Sequence, residues 1–453
     1  MYRTPQRIRQ SERPAMPAHE IATDGRASAS PPIRQHAGRP APTWSEARQI
    51  AFDCASALPP VSVPLASAPG RTLTRDVIAL QNIPHYASSA MDGWAVNGTG
   101  PWSLSRQGHA LSPDEASTIV TGGLVPPGTE SILRTESGQL THNANGELLL
   151  TLNDHAKHGE PLLGQHIRHA GEEATEGEVL IPAGTLLNPA HIALAAVAGH
   201  DVLQVRGKPM VAIVLTGSEV VTSGVPAPGL VRDTFGPQLE SVISLLGATP
   251  GSPVRIGDSY HDWLSALGDS GSLAGQQPDV TITTGGTGRS GTDHFRAAVA
   301  ALGGRLLLDG VAMRPGHPAV LAELPDGRFI IGLPGNPLAA MMALTTLAEP
   351  LLAALGNMPM SAAGHVISGA DVDPSPGRTR LIPCTFSHGL AFPVSHTGPG
   401  MMRGLAWADG VMAVPPKGVL SGEPVPVLPL PWTQSNENIA SIKSRVRSIA
   451  WHE

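Results

Sequence analysis

Only two cysteines, Cys54 and Cys384, occur in 453 residues, which excludes both a disulfide framework and a cysteine-ligated zinc site. Aromatic residues are scarce too, 7 Trp, 3 Tyr and 6 Phe, whereas there are 51 glycines and 44 prolines. That balance argues for many turns and short elements, and against long helical bundles or coiled coils. A basic excess is also lacking. With 30 Lys and Arg against 37 Asp and Glu, the net charge of −7 provides no field to steer a nucleic acid onto the chain. No run approaches the roughly 18 consecutive apolar residues of a membrane span. Met1 to Gln10 lead into no apolar stretch, so the N-terminus does not read as a secretory signal. The 18 histidines are unclustered, and Gly-x-Ser-x-Gly, Walker and His-Glu-x-x-His motifs are all missing.

What is present suffices for several cores. Hydrophobic residues make up 41% of the chain, and at roughly 150 residues per domain the length predicts about three domains. Residues 1–42 carry seven arginines and seven prolines with few apolar clusters. They cannot bury enough surface to offset ordering entropy, and the segment reads as a disordered extension. Order begins at Thr43-Trp44-Ser45-Glu46, which has capping-box spacing and predicts a helix to about Ser56, before Pro59-Pro60. Short strand-like pieces follow from Val77 to Leu180, then a second helical patch from Asn188 to Ala198.

From Lys208 the texture changes. Met210 to Leu215, Val280 to Thr283 and Phe329 to Gly332 are apolar runs of strand length, each ending in a glycine-bearing loop. Leu239, Val242, Ile243 and Leu246 recur at helical spacing, and Ala339 to Leu355 reads as an apolar helix. The alternation predicts a doubly wound parallel sheet, whose ligand sits outside the carboxyl ends of the strands. The three loops are Thr216-Gly217-Ser218-Glu219, Thr284-Gly285-Gly286-Thr287-Gly288 and Gly332-Leu333-Pro334-Gly335-Asn336-Pro337. Glycines there let backbone N–H groups approach an anion. Asp92, Glu219, Asp258 and Asp293 each lie at a loop beside a glycine or a strand end. Singly they read as turn residues; converging, they would hold Mg²⁺ together with ligand phosphates.

These pieces, in this order, resemble the molybdopterin molybdenumtransferase family (MoeA and the C-terminal part of gephyrin). The resemblance covers about Thr43 to Leu430. Ser89 to Ala95 is similar to S-A-M-D-G-Y-A, with Trp94 for Tyr. Ile119 to Gly123 with Val125 to Gly128 is similar to M-T-G-A-x-x-P-x-G, and Ile167-Arg168 with Gly171 to Glu173 to I-R-x-x-G-E-D. Thr216 to Glu219 resembles T-G-D-E, Asp233-Thr234 the following D-T-N, and Gly332 to Pro337 matches G-L-P-G-N-P outright.

In that family molybdate is joined to the dithiolene of adenylylated molybdopterin with release of AMP and use of Mg²⁺. The resemblance therefore implies insertion of molybdate into adenylylated molybdopterin, both as substrates, in a cytoplasmic homodimer. It further implies molybdopterin adenylyltransferase and recipient molybdoenzymes as partners, and neither nucleic acid nor membrane. By motif, Asp92, Thr121, Glu219, Asp258 and Asp293 carry over as catalytic positions, the four carboxylates among them as Mg²⁺ ligands. Substrate binding falls to Thr216, Gly217, Ser218, Asp233 and Thr234, and to Gly285, Gly286 and Thr287. It falls also to Arg314, Pro315, Gly316 and His317, to Pro334, Gly335, Asn336 and Pro337, and to Arg378 and Arg380.

The chain departs from the pattern in its anion pocket. K-P-G-K-P reads Arg314-Pro315-Gly316-His317-Pro318, the serine after G-L-P-G-N-P-x is Ala339, and the C-terminal G-S-G is Gly398-Pro399-Gly400. Each lost donor to a dianion costs about 1–3 kcal/mol, which Arg289 would offset. An active transferase is favoured by the retained acids and Thr121. The alternative is a non-catalytic paralogue that holds molybdopterin or finished cofactor for storage, delivery or sensing.

The expected architecture is multidomain, α/β plus β. The N-terminal extension spans 1–42, a discontinuous helical and linker domain 43–82 and 173–206, and an inserted β-rich domain 83–172. A doubly wound molybdopterin- and nucleotide-binding domain spans 207–357, a small C-terminal β-barrel domain 358–431 and a tail 432–453. In the tail Ile439, Ile442 and Val446 have the spacing of a short helix, among Lys443, Arg445 and Arg447.

Overall fold

A computed structural model of the chain describes residues 40–268, 277–288 and 294–433. The extension through Arg39, the tail from Gln434 and its short helix, and Arg289, Ser290 and Asp293 lie outside the described residues.

Thr43 caps the first helix, Trp44–Asp53, with both arms of a capping box formed with Glu46. The helix stops a turn earlier than its sequence suggests, with Cys54 as its C-cap, and the chain then turns toward Pro59. Its inner face carries Trp44, Ala47, Arg48 and Ala51 into the main core. Strand Pro60–Pro64 pairs antiparallel with Val202–Arg206. Against this pair packs helix Pro189–Val197, capped by Asn188, in a small core that includes Leu73, Val77, Leu187 and Leu203.

Between these partners lies a six-stranded sheet in the order Ser131–Arg134, Gly93–Val96, Glu115–Ile119, Trp102–Leu104, Leu148–Leu152, Gly138–His142. Trp102, Val96, Leu133 and Leu150 fill one of its faces. The buried Glu160 is held there by the Lys157 N–H (3.0 Å), the Ser137 hydroxyl (2.8 Å) and Arg134 (3.2 Å). Burial is the largest single influence on its carboxyl and would raise it; the three donors together outweigh that and hold it down to about 2.

The next sheet has seven strands and is mixed, not wholly parallel. Met210–Leu215, Val280–Thr284 and Phe329–Leu333 run parallel at its centre. Thr249–Pro250 and Val254–Arg255 extend it on one side, parallel to Met210–Leu215. On the other side Val320–Glu323 runs antiparallel to Phe329–Leu333, because the short loop Pro325–Arg328 turns the chain straight back with no crossover helix, and Arg305–Asp309 pairs antiparallel with Val320–Glu323 at the edge. Helices cover both faces. Gly236–Leu245 and Pro337–Leu355 pack on Val211, Ile213 and Leu215, while Tyr260–Gly268 and Phe295–Ala301 pack on Val320 and Ile330.

Pro337–Leu355 is long and apolar enough to cross a membrane by composition, but it is wholly buried as the central core helix. Its middle turns, Leu344–Ala348, are π-helical. There Thr345 and Thr346 bond back to the Met342 carbonyl, and Arg48 donates to the Thr345 carbonyl and to Glu349 (2.8 Å). A π turn is a recognised response to a side chain inserted into the helix ladder.

The final region closes on itself. Gly364–Ser368, Thr379–Ser387, Leu390–Pro393, Gly410–Val414 and Pro424–Pro429 form a five-stranded barrel, which leaves no free sheet edge. Met313–Arg314 pairs with Thr379–Arg380 and ties the barrel to the α/β region.

Candidate active site

The three glycine loops converge at the carboxyl ends of the parallel strands and enclose a cleft of about 810 Å³. Thr216, Gly217, Ser218 and Glu219 form one wall; Thr284, Gly285 and Gly286 the floor; and Gly335, Asn336 and Pro337 the opposite wall, with Gly400 reaching in from the barrel. The floor needs its glycines. At Gly286, φ is +65° and a Cβ would lie 2.3 Å from the Trp263 ring; at Gly285, φ is +76° and a Cβ would lie 2.7 Å from Thr216 Oγ1. Thr216 in turn donates its hydroxyl to the Thr284 carbonyl, so two of the loops are locked together.

Three carboxylates line the cleft: Glu219, Asp233 and Asp258. Asp258 Oδ2 accepts the Ser218 N–H at 3.1 Å. Neither Glu219 nor Asp258 has a cationic side-chain partner among the described residues. Asp233 differs. Its Oδ1 accepts the N–H groups of Phe235 and Gly236, both at 3.0 Å, at the start of helix Gly236–Leu245, and its Oδ2 holds Arg255 at 2.6 Å. Thr234 also lines the cleft.

The remaining expected site residues lie elsewhere in the subunit. Asp92 and Thr121 meet each other: one carboxylate oxygen accepts the Thr121 N–H (2.7 Å) and hydroxyl (2.8 Å). The backbone bond first, then the hydroxyl, holds the Asp92 carboxyl below its ordinary value. The pair sits on the β-rich sheet and does not line the cleft. Thr287 is buried against Gly332 and Phe295, on the far side of the floor, and Pro334 is buried too.

Arg314 and Arg380 face each other in register across neighbouring strands, with Arg378 exposed two residues before. Arg380 donates to the Asp373 carbonyl. His317 Nδ1 donates to the Val311 carbonyl at 2.7 Å. Gly316 takes φ +107° beside Met313 and the Ala339 carbonyl, after Pro315. The Ala339 N–H, near the start of the core helix, is taken by the Pro399 carbonyl at 3.1 Å. None of these residues lines the cleft. Among the described residues no three His, Cys, Asp or Glu side chains cluster as a ready-made metal site.

Sequence reasoning missed Arg232, Arg255, Trp263 and Phe235, all of which line the cleft. Arg255 carried a usable signal, since it stands three residues before Asp258 on one short segment. Trp263 carried none: its role depends on the packing of Gly286 over its ring.

Comparison with known proteins agrees with this layout. Residues 42–199 match the MoeA N-terminal region (domain I and II), 212–354 a probable molybdopterin binding domain, and 365–430 the MoeA C-terminal region (domain IV). A molybdopterin molybdenumtransferase of a Nostoc species is 30% identical over 316 residues, 65% of this chain and 69% of that one. That of Bacillus subtilis is 28% identical over 401 residues, 83% of this chain and 91% of that one. In fold, the chain resembles a molybdopterin biosynthesis MoeA protein of Pyrococcus horikoshii, with TM-score 0.66 at 22% identity, over 86% of this chain and 99% of that one.

Proposed function

Since this chain belongs to the molybdopterin molybdenumtransferase family, we propose that its cleft binds adenylylated molybdopterin and that the protein inserts molybdate with release of AMP. The observation that carries the reading is the convergence of three glycine loops on one cleft beside two carboxylates that have no cationic partner among the described residues. Backbone N–H groups at such loops suit an anion. Glu219 and Asp258 alone would repel a phosphoanhydride. Two such carboxylates fit Mg²⁺, which takes one or two protein carboxylates and completes its shell with substrate phosphates and water. When bound, Mg²⁺ neutralises charge developing on the anhydride as AMP leaves.

The chain's own part is positional. Ser218 orients Asp258 through its N–H, Trp263 supports the floor under Gly286, and Gly335 and Gly400 keep the far wall open to a large substrate. Asp293 is expected to join the two carboxylates. The Asp92–Thr121 pair, which does not line this cleft on its own subunit, is expected to face the cleft of a second protomer in a homodimer. Arg314, Arg378, Arg380 and His317 are the expected molybdate contacts. Molybdopterin adenylyltransferase would supply the substrate, recipient molybdoenzymes would take the product, and the setting is the cytoplasm.

The test is AMP release from adenylylated molybdopterin by the purified protein, with Mg²⁺, with and without molybdate. Molybdate-dependent release that EDTA abolishes and Mg²⁺ restores is the expected result. Tight binding without release at millimolar molybdate would overturn the transferase reading.

A further inference from the structure

We propose that Arg255 binds a phosphate oxygen of the substrate's anhydride, and that Asp233 is a positioning residue that aims it. The inference rests on the reading that the substrate is an adenylylated pterin. Of the cleft's described lining, only Arg232 and Arg255 are cationic, against three carboxylates. Arg232 is exposed and donates to the Val221 carbonyl of its own loop.

Arg255 is built in. Its strand runs parallel to Met210–Leu215 and sets it beside Leu215, immediately before the Thr216-Gly217 turn. Its guanidinium is gripped from one side by Asp233 at 2.6 Å, and it has no other side-chain partner among the described residues. A guanidinium has five donors in a fixed fork. With one edge held, the others remain for the cleft, in the geometry that matches phosphate.

Asp233, by contrast, has most of its acceptor capacity already used within the protein. Its side chain is 7% exposed, and its two oxygens serve Phe235, Gly236 and Arg255. Gly236 makes room for this arrangement, because a Cβ there would lie 2.5 Å from Asp233 Oδ2. The segment from Arg255 to Asp258 thus presents a cation for phosphate and a carboxylate for a metal to the same space.

The experiment compares wild type, Arg255→Met, Arg255→Lys and Asp233→Asn by calorimetric titration with AMP, adenosine and molybdopterin. Arg255→Met is expected to weaken AMP or molybdopterin by about 10- to 100-fold and to leave adenosine unchanged. Loss of AMP alone assigns Arg255 to the nucleotide phosphate, and loss of molybdopterin alone to the pterin phosphate. Arg255→Lys recovers part of the affinity. Asp233→Asn, which keeps an acceptor for the helix, loses less than Arg255→Met. Unchanged affinity for both phosphate ligands in Arg255→Met overturns the proposal. So does equal loss of adenosine, which marks a merely structural role, and so does a wild type that binds adenosine as well as AMP. Wild-type AMP release is scored separately, so a protein that binds AMP through Arg255 yet releases none would fail the transferase reading alone.

Discussion

Asp92 and Thr121 are joined through a single carboxylate oxygen, which accepts both the Thr121 N–H at 2.7 Å and its hydroxyl at 2.8 Å. The pair is preorganised yet absent from the lining of the cleft in its own subunit. If it serves a partner's cleft, defects in the two regions complement. Asp92→Asn and Asp258→Asn proteins, each inactive alone, are expected to regain about a quarter of wild-type AMP release when co-expressed in equal amounts, since half the dimers are mixed and carry one intact site. Activity that stays at zero in mixed dimers isolated by two affinity tags would show that both regions act within one chain.

Gly286 lies over Trp263, and Gly286→Ala is expected to cost about 2–4 kcal/mol, from overpacking plus a left-handed backbone. Gly224, at φ +69° with open space around it, is the control, and Gly224→Ala should cost only about 1 kcal/mol. Urea unfolding of the two variants measures the difference, and similar losses would remove the special role given to the cleft floor.

Arg48 and Glu349 form a buried ion pair at 2.8 Å, with side chains 4% and 10% exposed. Breaking it on one side, as in Arg48→Met, is expected to destabilise by about 3–5 kcal/mol. The double variant Arg48→Met with Glu349→Leu should recover much of that loss, because neither buried charge is then left alone. A double variant as unstable as the sum of the singles would mean that the pair contributes no mutual stabilisation.

Glu160 supplies a pH dependence. Its folded carboxyl, held down to about 2, lies below the ordinary value of 4.5. The stabilisation is therefore fully present above about pH 4.5 and is lost as pH falls toward 2, amounting to about 3 kcal/mol. Glu160→Gln should be less stable than wild type at pH 7 and lose less on acidification. Parallel melting-temperature curves for the two proteins from pH 7 to pH 3 would contradict this.

Much of the layout was legible because it is local. Thr43 and Glu46 announce a helix start through spacing alone, and three apolar runs ending in glycine announce strands that lead into a binding edge. Other features depend on partners far along the chain. Val320–Glu323 runs against the central strands because of the short loop that turns the chain back into Phe329–Leu333, which composition does not reveal. Thr345 and Thr346 look like ordinary helix residues until Arg48 bonds the carbonyl between the turns. Asp233 matched a binding motif, yet motif spacing could not show that its oxygens also hold Arg255 and a helix start.

The grip of Arg48 on Glu349 spans 301 residues of chain. During synthesis at about 5–20 residues per second, helix Trp44–Asp53 waits roughly 15–60 s before its seat emerges from the ribosome. Through that interval Trp44 and the other residues of its inner face have no native partner on the core helix. The α/β region therefore cannot be completed in the order in which it is made.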